Sequence, residues 1–285
     1  MRRPPPRELR DGRYVVDAYV AAGRWSDVYR GRDVWNREVV ALKRLAAWPL
    51  DDSRTSRAAA HAYAGQCALV GRLHHPQLVA VRDAFATMDG CWVVMDFVAG
   101  SDLGQRGLNE VIPWLRVVRI ARAACAGLGH AAAAGVLHRD VKPANLLLDA
   151  AGRLRVTDFM PLTDGLADHA GTPAYFAPER LRHAPATVAT DIYALGVVCY
   201  QWLTGRRPHE GATVSALARA VFEARVEPPS RARAGLPPLL DETVLQALAA
   251  DPAQRPASWS AFAAALDRCI ESTGVSDGAG DGERR

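Results

Sequence analysis

The sequence predicts an α+β chain of two unequal lobes, a small five-stranded sheet carrying one helix and then a larger helical part. Three observations predict it. Between residues 14 and 45, short apolar stretches are separated by a glycine-containing turn, as paired strands are. From about residue 113, apolar side chains recur at helical spacing instead. The 285 residues are 49% hydrophobic, enough to fill the core of one bilobal domain or two small domains.

Each element follows in order. Tyr14-Val15-Val16 leads into the turn Ala21 to Asp27, Val28-Tyr29-Arg30 returns, and Val39 to Lys43 makes a third strand. Asp51-Asp52-Ser53 supply N-cap candidates for an Ala-rich helix reaching about Leu73, which His75-Pro76 ends. Val79-Ala80-Val81 and Trp92 to Met95 complete the five strands. Beyond a join at 96–101, Trp114, Leu115, Val118, Ala121, Cys125 and Leu128 define a helix ending near Gly135. Ile192, Leu195, Val198, Cys199 and Trp202 define a second, capped by Gly205, and a last helix spans about Ala257 to Cys269. The expected division is a flexible segment 1–10, a first lobe 11–95, a hinge 96–101, a second lobe 102–270 and a disordered tail 271–285.

Composition narrows the function classes. Net charge is +4, acidic and basic residues are interleaved, and no Lys/Arg block occurs, so no nucleic-acid partner is expected. The five cysteines lack any C-x-x-C pair and read as reduced, buried thiols of a cytoplasmic protein. No apolar run approaches ~18 residues and no apolar stretch follows the basic, Pro-rich start, so neither a membrane span nor a secretion signal is expected here. The polar ends suit the soluble part of something larger.

The most informative stretch runs from Val136 to Leu148. Apolar triplets bracket a polar loop with an acid, a lysine and an amide at fixed offsets, and Pro143 stiffens the backbone between the last two. Anchored on both sides, the loop would turn Asp140, Lys142 and Asn145 toward a cleft. A carboxylate to accept a hydroxyl proton, a cation beside a phosphate and an amide oxygen for Mg²⁺ suit phosphoryl transfer.

This stretch resembles the H-R-D-x-K-P-x-N catalytic loop of eukaryotic-like (Hanks-type) bacterial Ser/Thr protein kinases. The resemblance covers roughly residues 12–270 and implies the bilobal protein kinase-like fold. It places Ala21-x-Gly23-x-x-Ser26-x-Val28 at the phosphate loop, a motif that taken alone is better read as an ordinary hairpin. Val40-Ala41-Leu42-Lys43 becomes the strand that sets Lys43 on the α/β-phosphates and Ala41 over adenine. Met95 falls at the gatekeeper, and Asp96 and Val98 offer hinge backbone groups. Asp158 of Thr157-Asp158-Phe159-Met160 would chelate Mg²⁺ with Asn145, while Phe159 would pack under the helix bearing Gln66. In Gly171 to Glu179, Thr172 would touch Asp140 and Lys142, and Glu179 would pair with Arg255. Asp191 would brace the loop at Arg139.

Several positions depart from the family's pattern. Ala21 and Ser26 replace glycines, Met160 replaces the glycine of D-F-G, and the activation segment holds only Thr163 before Thr172. Counting back from His75-Pro76 puts Gln66 where the family has the acid that pairs with Lys43. No Asp or Glu occurs between Asp52 and Asp83, so a register slip cannot supply one. Charge-assisted bonds are roughly twice as strong as neutral ones, so a glutamine is a weaker latch. The expectation drawn is a pseudokinase, a regulatory or scaffolding module with little or no phosphotransfer and no confident cofactor. The alternative is an active Ser/Thr kinase using ATP and Mg²⁺.

The combination also resembles the intracellular pseudokinase domain of actinobacterial MviN-type (lipid II flippase-like) membrane proteins. That resemblance implies a place at the inner face of the plasma membrane and a role in cell-wall (peptidoglycan) control. It further implies a partner Ser/Thr kinase, with Thr273 in the polar tail as the phosphosite and an FHA-type phosphothreonine reader as its partner. An inert tail is the plain alternative.

Overall fold

The computed structural model describes residues 5–23, 26–45, 61, 63–65, 67–87, 90–104, 111–159, 172–223 and 225–274. Trp25, Asp51–Ser53, Gln66, Met160 and Thr163 lie outside the described residues. The chain divides into two compact units, Met1–Gly100 and Ser101–Arg285, and its α+β composition is the one expected.

The first unit is built on an antiparallel sheet in the order β1-β2-β3-β4-β6-β5. The strands are β1 (Glu8–Leu9), β2 (Tyr14–Ala22), β3 (Asp27–Asp33), β4 (Glu38–Leu45), β5 (Val81–Thr87) and β6 (Gly90–Asp96). Side chains alternate across a strand, so Val40, Leu42 and Arg44 share one face of β4, and Ala41 and Lys43 the other. The first face is a core: Val40 and Leu42 pack with Leu9, Tyr14, Tyr29, Trp92 and Val94. Within it Arg44, 2% exposed, sets Nη2 3.1 Å from both Asp27 Oδ2 and the Tyr29 hydroxyl. Its guanidinium lies 5.7 and 5.8 Å from the Tyr29 and Trp92 ring centres.

Two strands differ from the sequence expectation. Residues 8–10, placed in a flexible segment, are instead bound to the sheet. Glu8 and Leu9 pair with Val15 and Tyr14, Leu9 is buried, and Arg10 Nη1 lies 2.7 Å from Asp83 Oδ1. Val79-Ala80 is a connection rather than a strand, and β5 starts at Val81. The helix between them, α1, covers the described positions between 61 and 70. It buries Tyr63, Ala64, Cys67 and Val70, a helical stripe.

The second unit contains helices α2 (Trp114–Ala133), α3 (Pro178–Leu181), α4 (Val188–Thr204), α5 (Val214–Glu223), α6 (Pro229–Ala232), α7 (Pro238–Ala247) and α8 (Trp259–Glu271). A three-stranded sheet, unforeseen from sequence, joins β7 (Gly100–Asp102), β8 (Leu146–Asp149) and β9 (Leu154–Val156). α4 is the central post, buried on every side from Thr190 to Leu203. A reciprocal cap between Thr187 and Thr190 starts it. Gly205 in the left-handed region, φ 76°, ends it. At Gly196 an added Cβ would fall 2.9 Å from the Ala247 methyl, so the missing side chain is what lets α7 approach. All five cysteines are buried thiols. α8 runs through Glu271, two residues beyond its expected end. Thr273 is therefore held in the turn that closes the helix, its hydroxyl donating to Ile270 O at 2.7 Å.

One ion pair ties α3 to the segment before α8. Arg255, whose side chain is 0% exposed, donates Nη1 to Glu179 Oε1 at 2.7 Å and Nη2 to Oε2 at 2.8 Å. It also caps the carbonyls of Ala249, Ala189 and Ala250 and lies 4.9 Å from the Tyr193 ring centre. Thr190 donates to the same carboxylate at 3.0 Å. Burial pushes the Glu179 carboxyl up, and Arg255 with Thr190 more than reverses this, leaving it below its ordinary value of 4.5.

Two outcomes are expected. Glu179→Ala leaves a buried guanidinium unpaired and lowers unfolding free energy by about 3 to 5 kcal/mol in urea titration. Because the folded carboxyl is depressed, its stabilisation is full above about pH 4.5 and is lost as pH falls through the folded value, so Glu179→Gln flattens that part of the stability–pH curve. In the first unit, Asp27→Ala removes the carboxylate facing the buried Arg44 and costs on the order of 3 kcal/mol, most of which an added Arg44→Leu restores.

Candidate active site

The polar loop leaves α2 at Gly135 and returns to β8 through a short 3-10 turn, Pro143–Asn145. Its shape is fixed from below by α4. Asp191, 3% exposed, accepts the His138 N–H on Oδ2 and the Arg139 N–H on Oδ1, both at 2.8 Å. Burial pushes the Asp191 carboxyl above its ordinary value, and the His138 and Arg139 groups that pull it down do not cancel the effect. Arg139 has φ 66°, a left-handed backbone that a non-glycine residue holds only when its surroundings impose it.

The histidine is a spacer with a defined tautomer. Its Nδ1 accepts the Asp140 N–H at 3.2 Å, so Nε2 carries the hydrogen and donates to Thr157 O at 2.9 Å. The ring also packs on Phe159 at 4.6 Å between centres. Thr157 N–H donates to Asn145 O at 3.0 Å. These bonds bring Asp158, itself left-handed at φ 64°, beside the loop that carries Asp140 and Asn145.

Four of the singled-out residues form one hydrogen-bonded group. Lys142 Nζ bridges Asp140 Oδ2 at 2.6 Å and Thr172 Oγ1 at 2.9 Å. Thr172 N–H donates to Asp140 Oδ1 at 3.0 Å. Asn145 Nδ2 donates to Asp140 O at 2.8 Å and reaches Asp140 Oδ2 at 3.3 Å. Oδ1 thus has one donor and Oδ2 two, and the carboxylate keeps accepting capacity for a hydroxyl proton. With its NH₂ engaged, Asn145 turns its amide oxygen elsewhere, as a cation ligand would. Among the described residues no cluster of three or more His, Cys, Asp or Glu could hold a metal. A two-oxygen set from Asn145 and Asp158 suits Mg²⁺, which takes the rest of its shell from phosphates and water.

The other candidates sit on the first unit's sheet. Ala21 pairs with Val28 across β2 and β3. Gly23 N–H closes the hairpin on Ser26 O at 2.6 Å. Lys43 lies between Val28 and Val93, and Ala41 beside Met95, in the ladders of β4. The Asp96 amide donates to Ala80 O at 3.0 Å and its carboxylate meets Arg82 at 2.6 Å, so both are committed within the unit. Val98 is half-buried just after β6.

Sequence reading gave no role to His138, Thr190, Tyr175 or Gln201. Tyr175 donates to Gln201 Oε1 at 2.8 Å, tying the segment after Thr172 to α4. For Gln201 the available signal was an amide within the largely apolar run Ile192 to Leu203, which buried polar chemistry must satisfy.

Comparison with known proteins supplies the remaining finding. The protein kinase domain family matches residues 14–265. Serine/threonine-protein kinase pkn3 of Myxococcus xanthus is 34% identical over 277 residues, 89% of this chain and 49% of the relative. Serine/threonine-protein kinase PknL of Mycobacterium bovis is 35% identical over 280 residues, 95% of this chain and 69% of the relative. PrkC of Bacillus subtilis, another serine/threonine-protein kinase, is 29% identical over 252 residues, 86% of this chain and 38% of its own length. The chain therefore spans about half the length of the first of these relatives. Their names overturn the expectation of a kinase-shaped module without phosphotransfer. That expectation let the departures at Ala21, Ser26, Gln66, Met160 and the short activation segment decide the whole reaction, whereas the carboxylate, lysine, amide and threonine of the second unit are assembled. The chain belongs to the protein kinase family, in its bacterial Hanks-type serine/threonine branch.

Proposed function

We propose that the chain is a working Ser/Thr protein kinase that transfers the γ-phosphoryl group of ATP to hydroxyls of protein substrates. The observation that carries this is the Asp140 carboxylate, held on one oxygen by Lys142 and on the other by the Thr172 amide. Bound Mg²⁺-ATP supplies the phosphoryl group and the cation that offsets charge on its oxygens. Asn145 and Asp158 are the residues that would hold Mg²⁺, and Lys43 the one for the α/β-phosphates. Val28, Ala41 and Met95 would take the adenine, and Gly23 with Ser26 the phosphate loop.

Within the second unit, Asp140 orients the acceptor hydroxyl and takes its proton as the new bond forms. Lys142 stands beside the same carboxylate and offsets negative charge building on the transferred group. Thr172 fixes both at once, through its amide to Asp140 and its hydroxyl to Lys142. A glutamine at 66 offers only a neutral acceptor where the family has a charged one, which would lower the rate without removing the reaction. The FHA-type reader and the MviN-type tether have no support from the described residues or from the relatives, and Thr273 engages its own helix end.

Purified chain with Mg²⁺ and millimolar ATP is expected to phosphorylate itself or a generic protein substrate. Asp140→Asn should cut the rate by roughly 10² to 10⁴ while leaving the melting temperature near that of the unmodified chain. No incorporation by the unmodified chain, or full incorporation by the variant, would overturn the proposal.

A further inference from the structure

The edge strand β5 carries one residue more than its partner. Val81 pairs with Met95 and Asp83 with Val94, so Arg82 is the extra residue of a bulge. Bulges re-aim a side chain and are common beside active sites. Asp83 turns to the core face, where it accepts the Tyr14 hydroxyl at 2.9 Å. Arg82 instead forks between two carboxylates. Its Nε donates to Asp96 Oδ1 at 2.6 Å and its Nη1 to Glu38 Oε2. Glu38 is held in turn by the Asn36 side-chain amide at 2.8 Å. The rigid spread of guanidinium donors is what lets one side chain span both acids.

The place of Asp96 gives the fork its consequence. Asp96 ends β6 opposite Val40, one residue after Met95, which pairs with Ala41. Ala41 and Met95 are assigned above to the adenine, and Asp96 and Val98 are the hinge positions whose backbone groups would meet the same ring. This stretch is held from within the first unit. Arg82 takes the Asp96 carboxylate, the Asp96 N–H donates to Ala80 O at 3.0 Å, and the Arg30 guanidinium lies 5.9 Å from the Phe97 ring centre. An ion pair as open as this one, with side chains 29% and 42% exposed, contributes little to folding. Its effect is to be sought in where the hinge backbone stands, not in stability.

We propose that Arg82 is a positioning residue for nucleotide binding, which acts through Asp96 to keep the backbone from Asp96 to Val98 in register with the edge of the adenine ring. The proposal rests on the kinase reading above and adds to it the side chain that sets the hinge. Adenine presents an exocyclic amine as donor and ring nitrogens as acceptors, so a displaced backbone loses hydrogen bonds to that edge. The groups proposed for the phosphates and Mg²⁺, Lys43, Asn145 and Asp158, are not bonded to Arg82. Loss of the fork therefore weakens capture of the base and spares the transfer step.

The test uses the full chain and compares ATP with purine riboside triphosphate, which lacks only the 6-amino group. The unmodified chain should favour ATP by about fivefold in kcat/KM. Arg82→Met keeps the length of the side chain and removes its charge. It should raise KM for ATP about threefold, leave kcat within about twofold and bring the ratio between the two nucleotides toward one. Asp96→Asn should do the same, and the double variant should be no worse than either, because both changes remove one bond. Additive effects or an unchanged nucleotide ratio would overturn the proposal. So would a fall in kcat and melting temperature with KM intact, which would make Arg82 merely structural. Calorimetric titration of the two nucleotides with Mg²⁺ repeats the comparison without turnover. If the unmodified chain binds ATP but transfers no phosphate, the kinase reading fails, and the binding ratio still decides Arg82. If it binds neither nucleotide, both readings fall.

Discussion

A single buried carboxylate holds the reacting loop in shape. Asp191 has almost no contact with solvent, and its two oxygens are each taken by a main-chain amide of successive loop residues. An acid so placed is costly to bury, and it is tolerated because both lone-pair directions are satisfied. The left-handed turn at Arg139 follows from this grip, and so does the place of His138, which passes the constraint to Asp140 on one side and Thr157 on the other. The residues of the polar loop thus inherit their positions from a helix beneath it.

The same logic recurs in each unit. Arg44 is held inside an otherwise apolar sheet face by Asp27, Tyr29 and two aromatic rings. Arg255 is held by Glu179, three carbonyls and Tyr193. Neither is a strong source of stability in itself, since desolvation offsets much of the attraction. What such pairs supply is uniqueness: the apolar surroundings accept many packings, and the paired charges accept few. The group around Asp140 differs in being partly open, with Lys142 24% exposed.

The legible parts of the sequence were those with a strong repeating pattern or a motif at fixed spacing. The stripes of α2 and α4 and the polar loop from His138 to Asn145 could all be placed before any coordinates. A two-residue strand such as β1 carries no periodicity and was lost in a Pro/Arg-rich segment. Val79-Ala80 read as strand because buried connections are apolar too. The C-terminal turn at Thr273 was hidden because Ser, Thr and Gly serve helix ends as readily as loose tails. The larger misreading concerned activity. The departures at Ala21, Ser26, Gln66 and Met160 are true statements about the sequence, but the step from them to little or no phosphotransfer treated graded effects as a switch.

The approach of α7 to α4 has a bearing on how this fold can change. The spacing there is set by an absent methyl group at Gly196 facing a present one at Ala247. Close-packed interiors do not absorb extra volume at such a crossing. Bulk can enter on one helix only as it leaves the other, so the two positions are bound to drift as a pair. Tolerance measured at either one alone will understate the variety this core can accommodate.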